Sequence, residues 1–205
     1  MNLKLSFLGK FKLYVYLHQT SMIGRQQSFK LLNKYLKNEN LIKHSLAVEA
    51  ILREMAKKLN EDEEIWALTG LLHDLDYNYT KDEPEKHTTL TAQILEGLVP
   101  KEVINAVKSH NYQHTIQAPE TSLDKSLIAA DAVSGLIIAT ALIVPSKKLS
   151  DVELKTLINK FKDKSFARAC DRRRIALCAD VGIELNEFLK VSLNALNSIA
   201  DTLGL

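Results

Sequence analysis

At 205 residues the chain is long enough to bury a sizeable core, and one domain, or one domain with a helical appendage, is expected. Only seven Gly and four Pro interrupt a sequence rich in Leu, Ala, Ile, Lys and Glu, which excludes the turn-dense all-β folds and predicts an all-α protein. Two cysteines, Cys170 and Cys178, are too few for a disulfide framework and are expected as free thiols, while a formal net charge of +2 by itself points to no partner.

In chain order, residues 1–21 alternate lysine with apolar residues, as in Lys10-Phe11-Lys12-Leu13, and carry no acid. The apolar run from Leu13 to Leu17 is too short for a secretory core or a membrane span, and no small-residue cleavage site follows. The expectation is a cytoplasmic protein without membrane contact, whose first 21 residues are a divergent, disordered or loosely attached arm, or a start-site overextension. From Met22 the chain reads as helices separated by short breaks, with Pro84, Pro100, Pro119 and Pro145 at or near boundaries. The predicted helices are 26–37; 39–59, with Asn38 as a cap; and 62 to the doublet His73-Asp74. A loop with Tyr77, Asn78 and Tyr79 leads to 85–96, closed by Gly97, and then to 100–110. After a looser stretch around Pro119 come 122–144, the most apolar helix, then 151–162, a short basic piece at 168–180, and an amphipathic helix over 184–203.

Charge is unevenly spread along these elements. Residues 61–85 hold nine acids against Lys81 alone, a composition that favours a cation. Residues 147–174 hold ten bases against four acids and would favour an anionic substrate or partner if that segment folds over the acidic one; otherwise they form a solvated face.

Helical spacing then sorts the polar residues by face. His44 shares a face with Leu41, Ala47, Val48 and Ile51, and Asp131 with Leu127, Ile128 and Ile138. His87 lines up with Leu90, Ile94 and Leu98, His110 with Val103, Ala106 and Val107, and His73-Asp74 closes the run Ala67-Leu68 and Leu71-Leu72. A single inward histidine is usually a hydrogen-bonded core residue. Four histidines and two aspartates would burden one core at about 1–3 kcal/mol for each unpaired group, and a divalent cation removes that cost. His18, in the arm, and His114, in a polar loop, lack this apolar support.

The pattern H…HD…D, formed by His44, His73-Asp74 and Asp131 with Asp131 inside Ala129-Ala130-Asp131-Ala132, resembles the HD superfamily of metal-dependent phosphohydrolases, in particular its HDIG-type branch, over about residues 26–145. The doublet continues as Leu75-Asp76, so the branch's usual Gly is missing. The resemblance implies an HD-domain helical bundle over 22–145, with helices 146–205 packed on the same domain. It also implies one or two divalent transition metals (Fe, Mn, Co, Ni or Zn) per chain, one held by His44, His73, Asp74 and Asp131 and, in a dinuclear site, a second bridged by Asp74 and held by His87 and His110. A histidine pair at the later position and a GYP signature, found in the cyclic-dinucleotide phosphodiesterases of the superfamily, are absent here, where the chain reads His110-Asn111.

The expected function is hydrolysis of a phosphoester of a small phosphorylated metabolite or nucleotide by a metal-activated water, with Asp74 and Asp76 as catalytic residues and Lys147, Lys148 and Arg168 as phosphate contacts. Nucleic acid is ranked lower because no aromatic-interleaved basic patch occurs, and oligomerisation is left open. The alternatives are a non-catalytic nucleotide-sensing or scaffold module and a diiron oxygenase using the same donors.

Overall fold

The computed structural model describes residues 22–205, and no strand occurs among the described residues; the N-terminal arm and His18 lie outside them. Helices α1 (Arg25–Tyr35), α2 (Glu39–Leu59) and α3 (Glu63–Leu72) come first. Asn38 caps α2 by accepting the Asn40 N–H at 2.8 Å, and Asn60 ends it in the left-handed region at φ 56°. Asp62 opens α3 by accepting the N–H groups of Glu64 and Ile65. Helices α2 and α3 touch backbone to backbone. A Cβ placed on Gly70 of α3 would lie 2.7 Å from the nitrogen of Glu49 and 2.8 Å from the carbonyl of Val48.

The next segment departs from the predicted pattern. Tyr77, Asn78 and Tyr79 belong to a one-turn helix α4 (Tyr77–Thr80), and 85–96 is not one helix. A 3₁₀ turn over Pro84–Lys86 ends at His87, Thr88 takes φ 80°, and α5 (Thr89–Leu95) starts only after it. The apolar spacing of Leu90 and Ile94 belongs to α5; His87 does not, because the left-handed Thr88 turns the chain between them. Helix α6 (Lys101–Ser109) follows Pro100, and α7 (Ser122–Ile143) begins in a capping box between Thr121 and Asp124.

Helix α7 is long and apolar enough to cross a membrane, and here it is a central core helix. It packs with α2 and with everything that follows: a 3₁₀ turn at Leu149–Asp151, α8 (Leu154–Lys162), α9 (Arg172–Ala176), a 3₁₀ turn at Leu177–Val181, and α10 (Leu185–Asn197). The predicted helix over 151–162 starts at Leu154, the piece predicted over 168–180 starts at Arg172 and continues as a 3₁₀ turn to Val181, and the helix predicted over 184–203 is interrupted. The last divides at Ile199 into α10 and α11 (Ala200–Leu203). A second apolar cluster joins α1, α3, α5 and α6. Cys170 precedes α9 and Cys178 lies in the following turn, so they do not share a helix face, and both are free.

Arg172 fixes the segment between α8 and α9. Its guanidinium donates to six carbonyl oxygens, those of Lys160, Phe161, Asp163, Phe166, Ala167 and Cys170, at 2.6–3.2 Å. Two of these, the carbonyls of Lys160 and Phe161, lie in the last turn of α8, at its negative end, where a cation is favoured.

Candidate metal centre

Asp74 is the hub of the site. Helix α3 delivers His73 and Asp74 at its C-terminal end, α2 brings His44, α7 brings Asp131, the turn before α5 brings His87, and the end of α6 brings His110. Asp74 Oδ2 lies 3.3 Å from His73 Nε2 and 3.8 Å from His44 Nε2; Oδ1 lies 3.2 Å from His87 Nε2 and 3.3 Å from His110 Nε2. The ligand atoms fall into two groups of three, His44-His73-Asp74 and Asp74-His87-His110, each within 4.8 Å, with Asp74 in both. Asp131 adjoins the first group, its Oδ1 being 3.2 Å from His44 Nε2.

Every ring is held from behind. His73 Nδ1–H donates to the Gly70 carbonyl at 2.8 Å, and His110 Nδ1–H to the Val107 carbonyl at 2.6 Å. His87 Nδ1–H donates to Asp76 Oδ1 at 2.8 Å. Ser134 Oγ donates its own proton to the Asp131 carbonyl at 2.8 Å, so toward His44 Nδ1, 3.2 Å away, it accepts. With Nδ1 committed in all four rings, the four Nε2 atoms converge on one carboxylate. This is the outer support that metal-binding histidines require.

Deep in the centre, His73 Nε2 and Asp74 Oδ1 are buried and have no hydrogen-bond partner among the described residues. Unsatisfied polar atoms of that kind are rare in folded proteins. They fit a divalent cation on each side of Asp74, in mixed imidazole and carboxylate coordination typical of transition metals. Without one, charge is compensated by protons. Burial lowers the His87 imidazole, but the Asp74 and Asp76 carboxylates outweigh it and raise it to about 10. Burial likewise opposes protonation of His73, yet the adjacent Asp74 charge raises it. Burial pushes His110 below its ordinary value. Asp74 is held well below the carboxylate range, burial notwithstanding, by His73 and the other imidazoles around it. Asp131 is also lowered, because His44 and Arg174 overcome its burial.

The remaining predicted residues fare differently. Asp76 is fully buried rather than an exposed loop acid. Its Oδ1 accepts from His87 and its Oδ2 from the Thr91 N–H at 3.1 Å, so it orients His87. Lys147, Lys148 and Arg168 are exposed and do not line the cleft over Asp74, and His114 is exposed as well. The cation at the cleft is Arg174, whose Nη2 donates to Asp131 Oδ2 at 2.7 Å. The basic stretch does reach the site, through a residue that sequence spacing could not single out from ten bases. Two further residues were missed. Asn111 ties the His87 turn down by donating to the Pro84 and His87 carbonyls at 2.7 and 3.1 Å, and its adjacency to His110 was the available signal. Tyr77 lines the cleft with its ring edge-on to His87, centroids 5.7 Å apart.

An all-α bundle thus brings four imidazoles and two carboxylates, from helix interiors, helix ends and one turn, into a cluster that could hold divalent metal. Residues 41–136 match the family model described as HD domain, and the chain carries an HD domain. Curated relatives named Ribonuclease Y include that of Desulfotalea psychrophila, 32% identical over 135 residues, covering 63% of this chain and 25% of the relative. That of Nitratidesulfovibrio vulgaris is 33% identical over 102 residues, 48% of this chain and 18% of the relative. That of Acholeplasma laidlawii is 30% identical over 97 residues, 47% and 18%. The chain thus spans a quarter or less of the length of these relatives. No solved structure matches the chain.

Proposed function

We propose that the protein hydrolyses a phosphoester, of the nucleotide or RNA class, at a centre of two divalent metals. The observation that carries the reading is the pair of three-ligand groups sharing Asp74. Metals bound there would supply a water acidified toward neutrality and positive charge for the phosphoryl oxygens. His44, His73, Asp74 and Asp131 would hold one, and Asp74, His87 and His110 the other. Asp76 keeps the His87 ring in the tautomer that presents Nε2, and Asn111 keeps its backbone in place. In the reaction, oxygen from water bonds to phosphorus, one P–O ester bond breaks, and the departing oxygen takes a proton.

The substrate class differs from the one the sequence suggested. Relatives named for ribonuclease activity favour a nucleotide phosphoester over a small metabolite, and they restore nucleic acid to the candidates. The cleft of about 360 Å³ has Tyr77 and Arg174 on its walls, an aromatic ring for a base and a cation for a phosphate.

Elemental analysis of protein purified without chelators should find close to two transition-metal equivalents per chain. Asp74→Asn should lose both and lower hydrolysis of a dinucleotide or short RNA by more than a hundredfold. Absence of metal after reconstitution with Mn, Co, Fe and Zn, or undiminished hydrolysis in the variant, would sink the reading. Substrate-dependent dioxygen uptake by the iron-loaded protein, without phosphate-ester cleavage, would replace it with the oxygenase.

A further inference from the structure

Arg174 comes from α9, beyond the HD match that ends at residue 136. Its Nη2 donates to Asp131 Oδ2 and to the His110 carbonyl at 3.2 Å, which fixes the guanidinium plane. Nη1 makes no hydrogen bond among the described residues, and Nε is buried without one. With Nη2 committed and Nη1 without a hydrogen bond among the described residues, the guanidinium keeps a donor for a second anion. It also offsets the Asp131 carboxylate, which would otherwise repel that anion.

The ground on both sides of Arg174 is concave. The cleft over Asp74 and a second chamber of about 200 Å³ share His44, Asp131 and Arg174 as their common border. Ala132, Gly135, Ala169 and Cys170 wall the second chamber. Gly135 sits in the middle of α7, where glycine costs about 1 kcal/mol relative to alanine, and a Cβ there would stand 2.9 Å from Cys170 Sγ. Cys170 belongs to the loop that Arg172 secures through six carbonyls. The glycine lets Cys170 pack directly against α7, so the two elements that wall the chamber are held together there.

We propose that Arg174 is the phosphate anchor of this cleft, and that the substrate is a nucleotide phosphodiester lying across it. Its phosphate sits between Arg174 and Asp74, one nucleoside lies beside Tyr77, and the other occupies the second chamber. A monoester would leave that chamber unused. The inference rests on the hydrolase reading but is tested by binding.

The full chain, loaded with manganese, is titrated calorimetrically with inorganic phosphate and with a dinucleoside phosphorothioate, and metal content is measured for each variant. The same titrations on chelator-treated protein keep the result independent of loading. Arg174→Gln should weaken both ligands by ten- to a hundredfold with metal equivalents unchanged. Ala169→Phe, a change at an exposed position, should weaken the dinucleotide at least tenfold relative to phosphate. If Arg174→Gln loses metal while the loaded fraction binds phosphate normally, Arg174 only positions Asp131 and the anchor is refuted. If Ala169→Phe leaves the ratio of the two affinities unchanged, the second chamber is not a subsite. Expected binding without hydrolysis of any diester would leave this geometry standing and remove the hydrolase reading.

Discussion

In the metal-free centre a proton on His87 stands where a cation would. Its Nε2 faces Asp74 Oδ1 at 3.2 Å and His110 Nε2 at 3.1 Å, and its Nδ1 is committed to Asp76. The folded-state value of about 10, against an ordinary 6.5, sets the sign of the linkage. A raised value contributes stability that is fully present below 6.5 and is lost as pH rises through about 10. Thermal unfolding of chelator-treated protein should therefore show falling stability from pH 7 to 10, and His87→Gln should flatten that decline. A decline of equal size in the variant would assign the effect to other groups. Metal binding must displace the same proton, so apparent affinity should rise over the same window. Five of the six candidate ligand positions lie on an apolar helical spacing or in the doublet and were legible in the sequence; His87 was singled out by a spacing that the structure ends at Thr88. The outer residues were not legible. Asp76 reads as a loop acid until Thr91 and His87 are folded onto it, and Ser134 is one serine among many.

At the scale of elements, the legible parts were those in which local signals and packing agree. Helix α2 has its Asn38 cap and an unbroken apolar face, and α7 has its long apolar run. The region 85–96 misled because Leu90 and Ile94 give a sound helical period while Thr88, left-handed and buried, breaks the helix just ahead of them. The turn places His87 Nε2 3.2 Å from Asp74 Oδ1, a tertiary contact that local spacing does not encode. Gly70 is a similar case. In a helix interior its replacement by alanine normally gains up to about 1 kcal/mol, but here the new Cβ would meet the α2 backbone at 2.7–2.8 Å, and backbone cannot swing aside as a side chain can. Gly70→Ala should therefore destabilise by about 1–3 kcal/mol or more, read as a lower denaturant midpoint. Because Gly70 also supplies the carbonyl behind His73, metal affinity should fall with it. A stabilised variant would contradict the close α2–α3 contact.

For the molecule as a whole, the question is whether the helices after residue 145 are an appendage or part of the domain. The family match stops at residue 136, and the sequence alone allowed either answer. The core that encloses Val48, Leu127 and Ile137 also contains Leu149, Leu157, Phe188, Leu189 and Leu196, all fully buried. Each such side chain contributes about 1.5–3 kcal/mol on burial. Five together rival the roughly 5–15 kcal/mol by which a whole domain is stable. The same segment supplies Arg174 to Asp131 and the Arg172-bound loop to the second chamber, so fold and site depend on it together. A chain ending at residue 145 should accordingly fail to fold, aggregating or binding hydrophobic dye, and should retain no stoichiometric metal. The full chain should unfold in one cooperative transition, which metal raises by an amount that grows with the logarithm of its free concentration. Two separate transitions, with the first leaving metal bound, would show instead that residues 22–145 stand alone and that Arg174 was added to a site already complete.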